Sequence, residues 1–286
     1  MQNHIFLLPL YNDWKSVQKL IGEINKQIKK VKKKALILII DDNSTKSQKL
    51  NIKAFRYIKN IKILSLRKNL GSQKAIAVGL KYLNSKKQKS IITILDSDGE
   101  DDSSQIAHMI KKAELNPDFV IVSCRTKRGE GIIFSWFYIL HKFLTFIFTF
   151  KWINFGNYSS FDSKNLSNIL KNNNAWLAYS SAVADNCNIK KVYAARKKRF
   201  FGKSKLSLFG LFLHSLRVMS VFLYRVIFLS FIYVCLVIYF KDFLNHYFNI
   251  VVALILFLNM LISLTYILMR TYNFNKSLDL IRNNKS

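Results

Sequence analysis

The segment Asp96-Ser97-Asp98-Gly99-Glu100-Asp101 gathers four carboxylates in a chain whose formal net charge is +29. Carboxylates two residues apart, such as Asp96 and Asp98, can share one hard divalent cation, and that cation can hold a diphosphate as well. The run Ile91-Ile92-Thr93-Ile94-Leu95 leads directly into them. It is apolar and mostly β-branched, so it reads as a buried parallel strand. Open α/β sheets take their ligands at the carboxyl ends of such strands. The plain alternative for an Asp/Ser/Gly cluster is a polar turn with an Asx cap.

Other strand tips carry polar residues too. Pro9-Leu10-Tyr11-Asn12-Asp13 follows the apolar stretch Ile5 to Leu8. Proline there ends a ladder, because it lacks an N–H, and Tyr11 offers a ring on which a base can stack. Asp42, next to Asp41, follows Leu36 to Ile40, and its carboxylate can accept hydrogen bonds from a base or a ribose. Asn69-Leu70-Gly71-Ser72-Gln73-Lys74-Ala75 follows Ile61 to Leu66. Small residues opening a helix let backbone N–H groups approach phosphate oxygens, although a simple helix cap explains the same residues.

The elements that must position these groups alternate. Strands are expected at Ile5 to Leu8, Leu36 to Ile40, Ile61 to Leu66, Ile91 to Leu95 and Phe119 to Val122. Helical spacing of apolar positions covers Trp14 to Lys30 and Ser72 to Leu83. This order predicts an α/β class with a doubly wound, mostly parallel sheet. One edge of that sheet collects the polar tips.

The chain has 286 residues, with 45 Lys+Arg against 16 Asp+Glu. That balance favours anionic partners, and no nucleic-acid module is recognisable. Cys124, Cys187 and Cys235 show no CxxC spacing, which fits a reducing compartment and neither a disulfide framework nor a zinc site. Ile5 to Leu8 is too short for a signal-peptide core. Val226 to Phe240 and Tyr247 to Met269 carry no charged residue. Roughly 20 residues cross a bilayer, so these read as a two-helix transmembrane hairpin at 226–269, with Arg225 snorkelling at its edge. Ile132 to Trp152 is also apolar, but His141 and Lys142 lie in its middle. A charge at the bilayer centre costs roughly 2.5–3.5 kcal/mol on insertion scales, so this stretch reads as interfacial helices. The segment 206–225 reads as an amphipathic juxtamembrane piece. Arg270, Lys276, Arg282 and Lys285 follow the second span, so the domain 1–205 and the tail 270–286 are both expected in the cytoplasm.

In order, the motifs Pro9-x-Tyr11-Asn12-Asp13, Asp41-Asp42-x-Ser44, Asn69-x-Gly71, Asp96-x-Asp98, Ser123-x-Arg125 and Arg196-x-x-Arg199-x-x-Gly202-x-Ser204-Lys205 resemble glycosyltransferase family 2. The resemblance covers about residues 4 to 225 and implies the GT-A fold. The basic motif followed by two spans is similar to the polyprenyl-phosphate sugar transferases of that family. The resemblance implies that Pro9, Tyr11, Asp13 and Asp42 hold a nucleoside, with Asp41, Asn69, Gly71 and Lys74 on the same donor side. It implies that Asp96 and Asp98, joined by Glu100, bind Mg²⁺ or Mn²⁺. Arg125, Arg199, Ser204 and Lys205 would face donor or acceptor phosphates, with Asp96, Asp98, Arg199 and Lys205 carrying the catalysis. The chain departs from the pattern in having Asp13 where relatives commonly carry Glu, and in having no carboxylate before Gly156-Asn157.

The expected activity is that of a membrane-anchored inverting glycosyltransferase. It would use a nucleotide-sugar donor and a polyprenyl phosphate acceptor in contact with membrane lipid. A homo-oligomer is compatible with the resemblance. Transfer to a carbohydrate hydroxyl is the alternative within the fold, although no Gln-x-x-Arg-Trp motif occurs. A catalytically silent membrane adaptor is the alternative outside it.

Overall fold

The computed structural model describes residues 3–46, 48, 50–51, 55–125, 132–202, 207–270 and 274–282. In chain order the elements are β1 (Asn3–Leu10), α1 (Trp14–Lys30), β2 (Ala35–Asp41), β3 (Ile58–Ser65), α2 (Ser72–Ser85), β4 (Ser90–Ile94), α3 (Ile106–Leu115), β5 (Phe119–Arg125) and α4 (Ile132–Thr149). They continue with β6 (Phe155–Asp162), α5 (Leu166–Ile169), α6 (Tyr179–Asn186), β7 (Asn188–Ala194), α7 (Leu208–Ser220), α8 (Leu223–Tyr239), α9 (Lys241–Leu244) and α10 (Tyr247–Arg270). The chain divides into two units. One comprises residues 1–129, 154–205 and 273–286, and the other residues 130–153 and 206–272.

The first unit is built on a sheet of order β3-β2-β1-β4-β6-β5-β7. β6 alone runs against the rest. The doubly wound, mostly parallel sheet expected from the sequence is therefore present, with one antiparallel insertion. β1, β2 and β4 are buried along nearly their whole length, as strands covered on both faces must be. α1 packs through Val17, Leu20, Ile21, Ile24 and Ile28, a stripe at helical spacing. The chain winds from β1 out to β3 and then returns to β4 on the other side of β1. That reversal opens a crevice at the carboxyl ends of β1 and β4. Registers align Leu10 with Asp41, and Asp41 with Ser65, so these tips end level.

β6 and β7 are not expected from the sequence. β6 turns serines inward: Ser159 and Ser160 are fully buried, and Ser160 Oγ lies 3.0 Å from Thr93 Oγ1. A polar pair satisfied inside the core leaves no apolar run to read. β7, an edge strand, carries Lys190 and Lys191 at its centre.

The second unit is helical. Within it, Tyr233 of α8 donates to the carbonyl of Ile147 of α4 at 2.6 Å, and the Phe148 and Tyr233 rings meet edge to face at 5.6 Å. The expected interfacial helices at 132–152 form one helix, α4. Among the described residues, one helix is long and apolar enough to cross a membrane, over Tyr247–Met269, and only 6% of its apolar window is buried. α8 has 17 residues, short of the roughly 20 needed. α7 and α8 meet the test together but bend by 90°. Length and composition thus give one candidate span on its own among the described residues, and a second if the bent pair is one span.

Candidate active site

Pro9, Leu10, Tyr11, Asp13, Asp42, Ser72, Asp96, Ser97, Asp98 and Arg199 line a cavity of about 300 Å³ at the carboxyl edge of the sheet. A larger cavity of about 520 Å³ lies at the opposite, amino end of the strands. It is lined largely by apolar and lysine side chains and has no carboxylate, whereas the expected acidic residues line the smaller one.

The acidic loop is shaped by its own backbone. The Glu100 N–H donates to Asp98 Oδ1 at 3.0 Å, and the Asp96 N–H donates to Asp101 Oδ2 at 3.1 Å. Gly99 turns the chain at φ +83°, and a Cβ there would meet the Phe200 ring at 2.3 Å. No other residue fits that turn. Burial and the like charge of Asp96 raise the Asp98 carboxyl to about 6. The two carboxylates thus disfavour each other's charge inside the cavity.

Residues 196–200 cross this loop as a strap. The Lys197 and Phe200 N–H groups donate to the carbonyls of Glu100 and Asp98, each at 2.9 Å. Arg199 donates to Asp98 Oδ2 at 3.2 Å and also to Asp13. Lys197 pairs with Asp102 at 2.6 Å. Lys19 lies 4.5 Å from the Phe200 ring centroid.

The donor-side residues separate into two kinds. Asp42 is buried and accepts from the N–H groups of Leu70 and Gly71 at 2.7 and 2.8 Å. Desolvation raises its pKa, and those two N–H groups oppose the rise. Gly71 caps α2 at φ +87°. Tyr11 is exposed in the cavity. Asp41 does not join them. Its side chain accepts from the Ser44 N–H at 2.9 Å and the Ser65 hydroxyl at 3.2 Å, so it fixes the loop after β2 from behind.

The other expected site residues are placed as follows. Glu100 is paired with Arg196, and no group of three metal-ligating side chains forms among the described residues. Of the expected set Asp96, Asp98 and Glu100, the two aspartates line the cavity. Lys74 and Asn69 do not line the cavity; Lys74 lies 5.0 Å from the Trp176 ring centroid. Arg125 closes β5. Ser204 and Lys205 lie outside the described residues.

The sequence reading missed Asn157 and Gln73. Asn157 Nδ2 donates to Asp96 Oδ1 at 3.0 Å. Gln73 Nε2 donates to Asn157 Oδ1 at 3.0 Å, and the Tyr179 N–H donates to Gln73 Oε1 at 2.8 Å. Three amide bonds in series thus orient Asp96. The Gly156-Asn157 pair was the available signal, but no β6 was expected to bring it to β4.

Residues 6–169 match the family described as Glycosyl transferase family 2. An uncharacterized glycosyltransferase of Synechocystis is 25% identical over 125 residues, which is 43% of this chain and 38% of that relative. The match thus spans well under half of the relative's length. Among solved structures, mannosyl-3-phosphoglycerate synthase from Rubrobacter xylanophilus has a TM-score of 0.56 at 16% identity, covering 78% of this chain and 74% of that one. Glucosyl-3-phosphoglycerate synthase from Mycobacterium tuberculosis, in a complex with Mn²⁺, UDP and glucosyl-3-phosphoglycerate, has a TM-score of 0.53 at 14% identity, covering 78% and 80%. At these identities the likeness is one of fold.

Proposed function

Because the chain belongs to glycosyl transferase family 2, we propose that it moves a sugar from a nucleotide-sugar to a polyprenyl phosphate at the cytoplasmic face of a membrane, with inversion. The observation that carries this reading is the facing of Asp96 and Asp98 against Arg199 in one cavity with Tyr11, Asp13 and Asp42.

Asp42 and Tyr11 would hold the nucleoside end, with Pro9 and Asp13 beside them. Asp96 and Asp98 present hard oxygen donors, and burial with like charge raises Asp98 to about 6, so the pair suits Mg²⁺ or Mn²⁺. Such an ion, when bound, neutralises charge on a departing nucleoside diphosphate. Asn157 holds Asp96 by donating to it, which keeps that carboxylate an acceptor. Arg199 is an always-charged, forked donor that suits the phosphate of either substrate once it leaves the aspartates. A phosphate acceptor is already ionised near neutral pH and needs no base, whereas a sugar hydroxyl does.

Chain connectivity supports the membrane reading. Residues 3–125, 154–202 and 274–282 pack in one unit, and a bilayer cannot run through a packed unit. If α10 crosses, the stretch 206–246 has to cross back, which supports a second, broken span through α7 and α8. α4 is a single helix whose two flanks return to that same unit, so one crossing by it is inconsistent. It exposes Trp136, Phe137, Leu140 and Phe143, and Lys142 lies over the Tyr138 and Trp152 rings, as interfacial side chains do. Arg225 donates to the carbonyl of Thr149, where a helix end favours a cation.

The test is incubation of membranes containing the protein with radiolabelled nucleotide-sugars and polyprenyl phosphate. A lipid product whose label is released by mild acid is expected. Label that resists mild acid would assign a hydroxyl acceptor instead.

A further inference from the structure

Residues 274–282 follow the apolar helix α10 and fold back onto the sheet unit. Phe274, Ser277 and Leu280 are buried there. The Phe274 ring packs on Trp176 with centroids 5.6 Å apart. Lys81 of α2 donates to the carbonyls of Phe274 and Asn275 at 2.5 and 2.6 Å. Leu66 bridges Ile281. The Arg67 N–H donates to the carbonyl of Leu280, and the Arg282 N–H donates to that of Ser65, each at 2.8 Å. The segment thereby pairs with the chain just beyond the exposed edge strand β3, at the end that carries the site.

Its last contact reaches the donor side. The Arg282 guanidinium donates to Asn43 Oδ1. Asn43 directly follows Asp42, at φ +61°. The Ser44 and Thr45 side of the same loop is tied to Asn12: the Asn12 N–H donates to Ser44 Oγ at 2.9 Å, and Asn12 Oδ1 accepts from the Thr45 N–H at 2.9 Å. Asn12 in turn follows Tyr11. A path of alternating hydrogen bonds and chain neighbours therefore runs from Arg282 to Asn43, through Ser44 to Asn12, and so to the cavity residue Tyr11.

We propose that residues 274–282 brace the loop 41–46 and that Arg282 is a positioning residue for nucleotide binding. This rests on the donor reading above. The brace also ties the segment leaving the membrane helix to the site, so a displaced tail loosens the donor pocket.

The experiment uses the full chain in detergent and compares wild type, Arg282→Ala, Arg282→Lys, Asn43→Gly and the double variant Arg282→Ala/Asn43→Gly. Glycine at 43 keeps the positive φ while removing the acceptor. Two quantities are read: hydrogen exchange at the Ser44 and Thr45 amides, and the dissociation constant of UDP with Mn²⁺. Arg282→Ala is expected to speed exchange at both amides and to weaken UDP about threefold to tenfold, the scale of one charge-assisted hydrogen bond. Its donor KM should rise with kcat kept. Lysine should restore part of the loss, and the double variant should be no worse than either single one. Unchanged exchange and UDP affinity in both single variants would overturn the brace. A wild type that binds neither UDP nor any other of a panel of nucleoside diphosphates with Mn²⁺ would contradict the donor reading, and the exchange rates would still judge the brace separately.

Discussion

At the scale of single residues, the account turns on Asp98. It is raised to about 6 by burial and by Asp96. A carboxyl raised in the folded state binds its proton more tightly there than when unfolded, so the charged form costs stability; that cost is full above about 6, shrinks as pH falls below 6 and is gone only below the ordinary value of 3.8. Asp98→Asn is therefore expected to raise Tm near pH 7.5 in metal-free buffer, to raise it by roughly half as much at pH 5, and to leave it nearly unchanged only below the ordinary value of 3.8, by scanning calorimetry. The same substitution should lower transfer on the order of 10²-fold or more, the scale of removing a group that supports charge in a transition state. Mn²⁺ competes with the proton at this site. Its affinity for the wild type, followed by electron paramagnetic resonance, should fall by about tenfold for each pH unit below about 6. A flat profile between pH 5 and 7 would remove Asp98 from the cation site.

At the scale of elements, the strap over the acidic loop depends on Gly99. A Cβ there would meet Phe200 at 2.3 Å, so Gly99→Ala should lift residues 196–200 and release Arg199 from Asp98. Limited trypsin cleavage at Arg196 to Arg199 should accelerate; unchanged cleavage would mean that the strap is held without that turn. This element also shows how far the sequence could be read. Strands β1 to β5 were legible because apolar β-branched runs end in polar tips. Tyr11, Asp13, Asp42, Asp96, Asp98 and Arg199 were legible because motif order placed them at one edge. The pairing of Glu100 with Arg196, and of Asp41 with Ser44 and Ser65, was not. Those partners are chosen by the turn at Gly99 and by strand register, which residue types alone do not reveal. β6, with its inward serines, hid Asn157 for the same reason.

At the scale of the whole molecule, residues on both sides of the apolar helices share one packed unit. Single cysteines at the exposed positions Lys32 and Lys276, in a background without the three natural cysteines, should react with an impermeant maleimide from the same side of sealed inverted vesicles. Labelling from opposite sides would break the even-crossing topology. The proposed acceptor joins these scales, since its phosphate suits the charged groups of the cavity and its polyprenyl chain suits a lipid surface. The most direct test incubates vesicles carrying wild type or Asp98→Ala with polyprenyl phosphate and a panel of labelled nucleotide-sugars, with and without Mn²⁺. The account predicts an acid-labile glycosyl lipid formed by wild type only, lost when the ion is chelated. Equal product from Asp98→Ala, or from wild type in excess chelator, would contradict it.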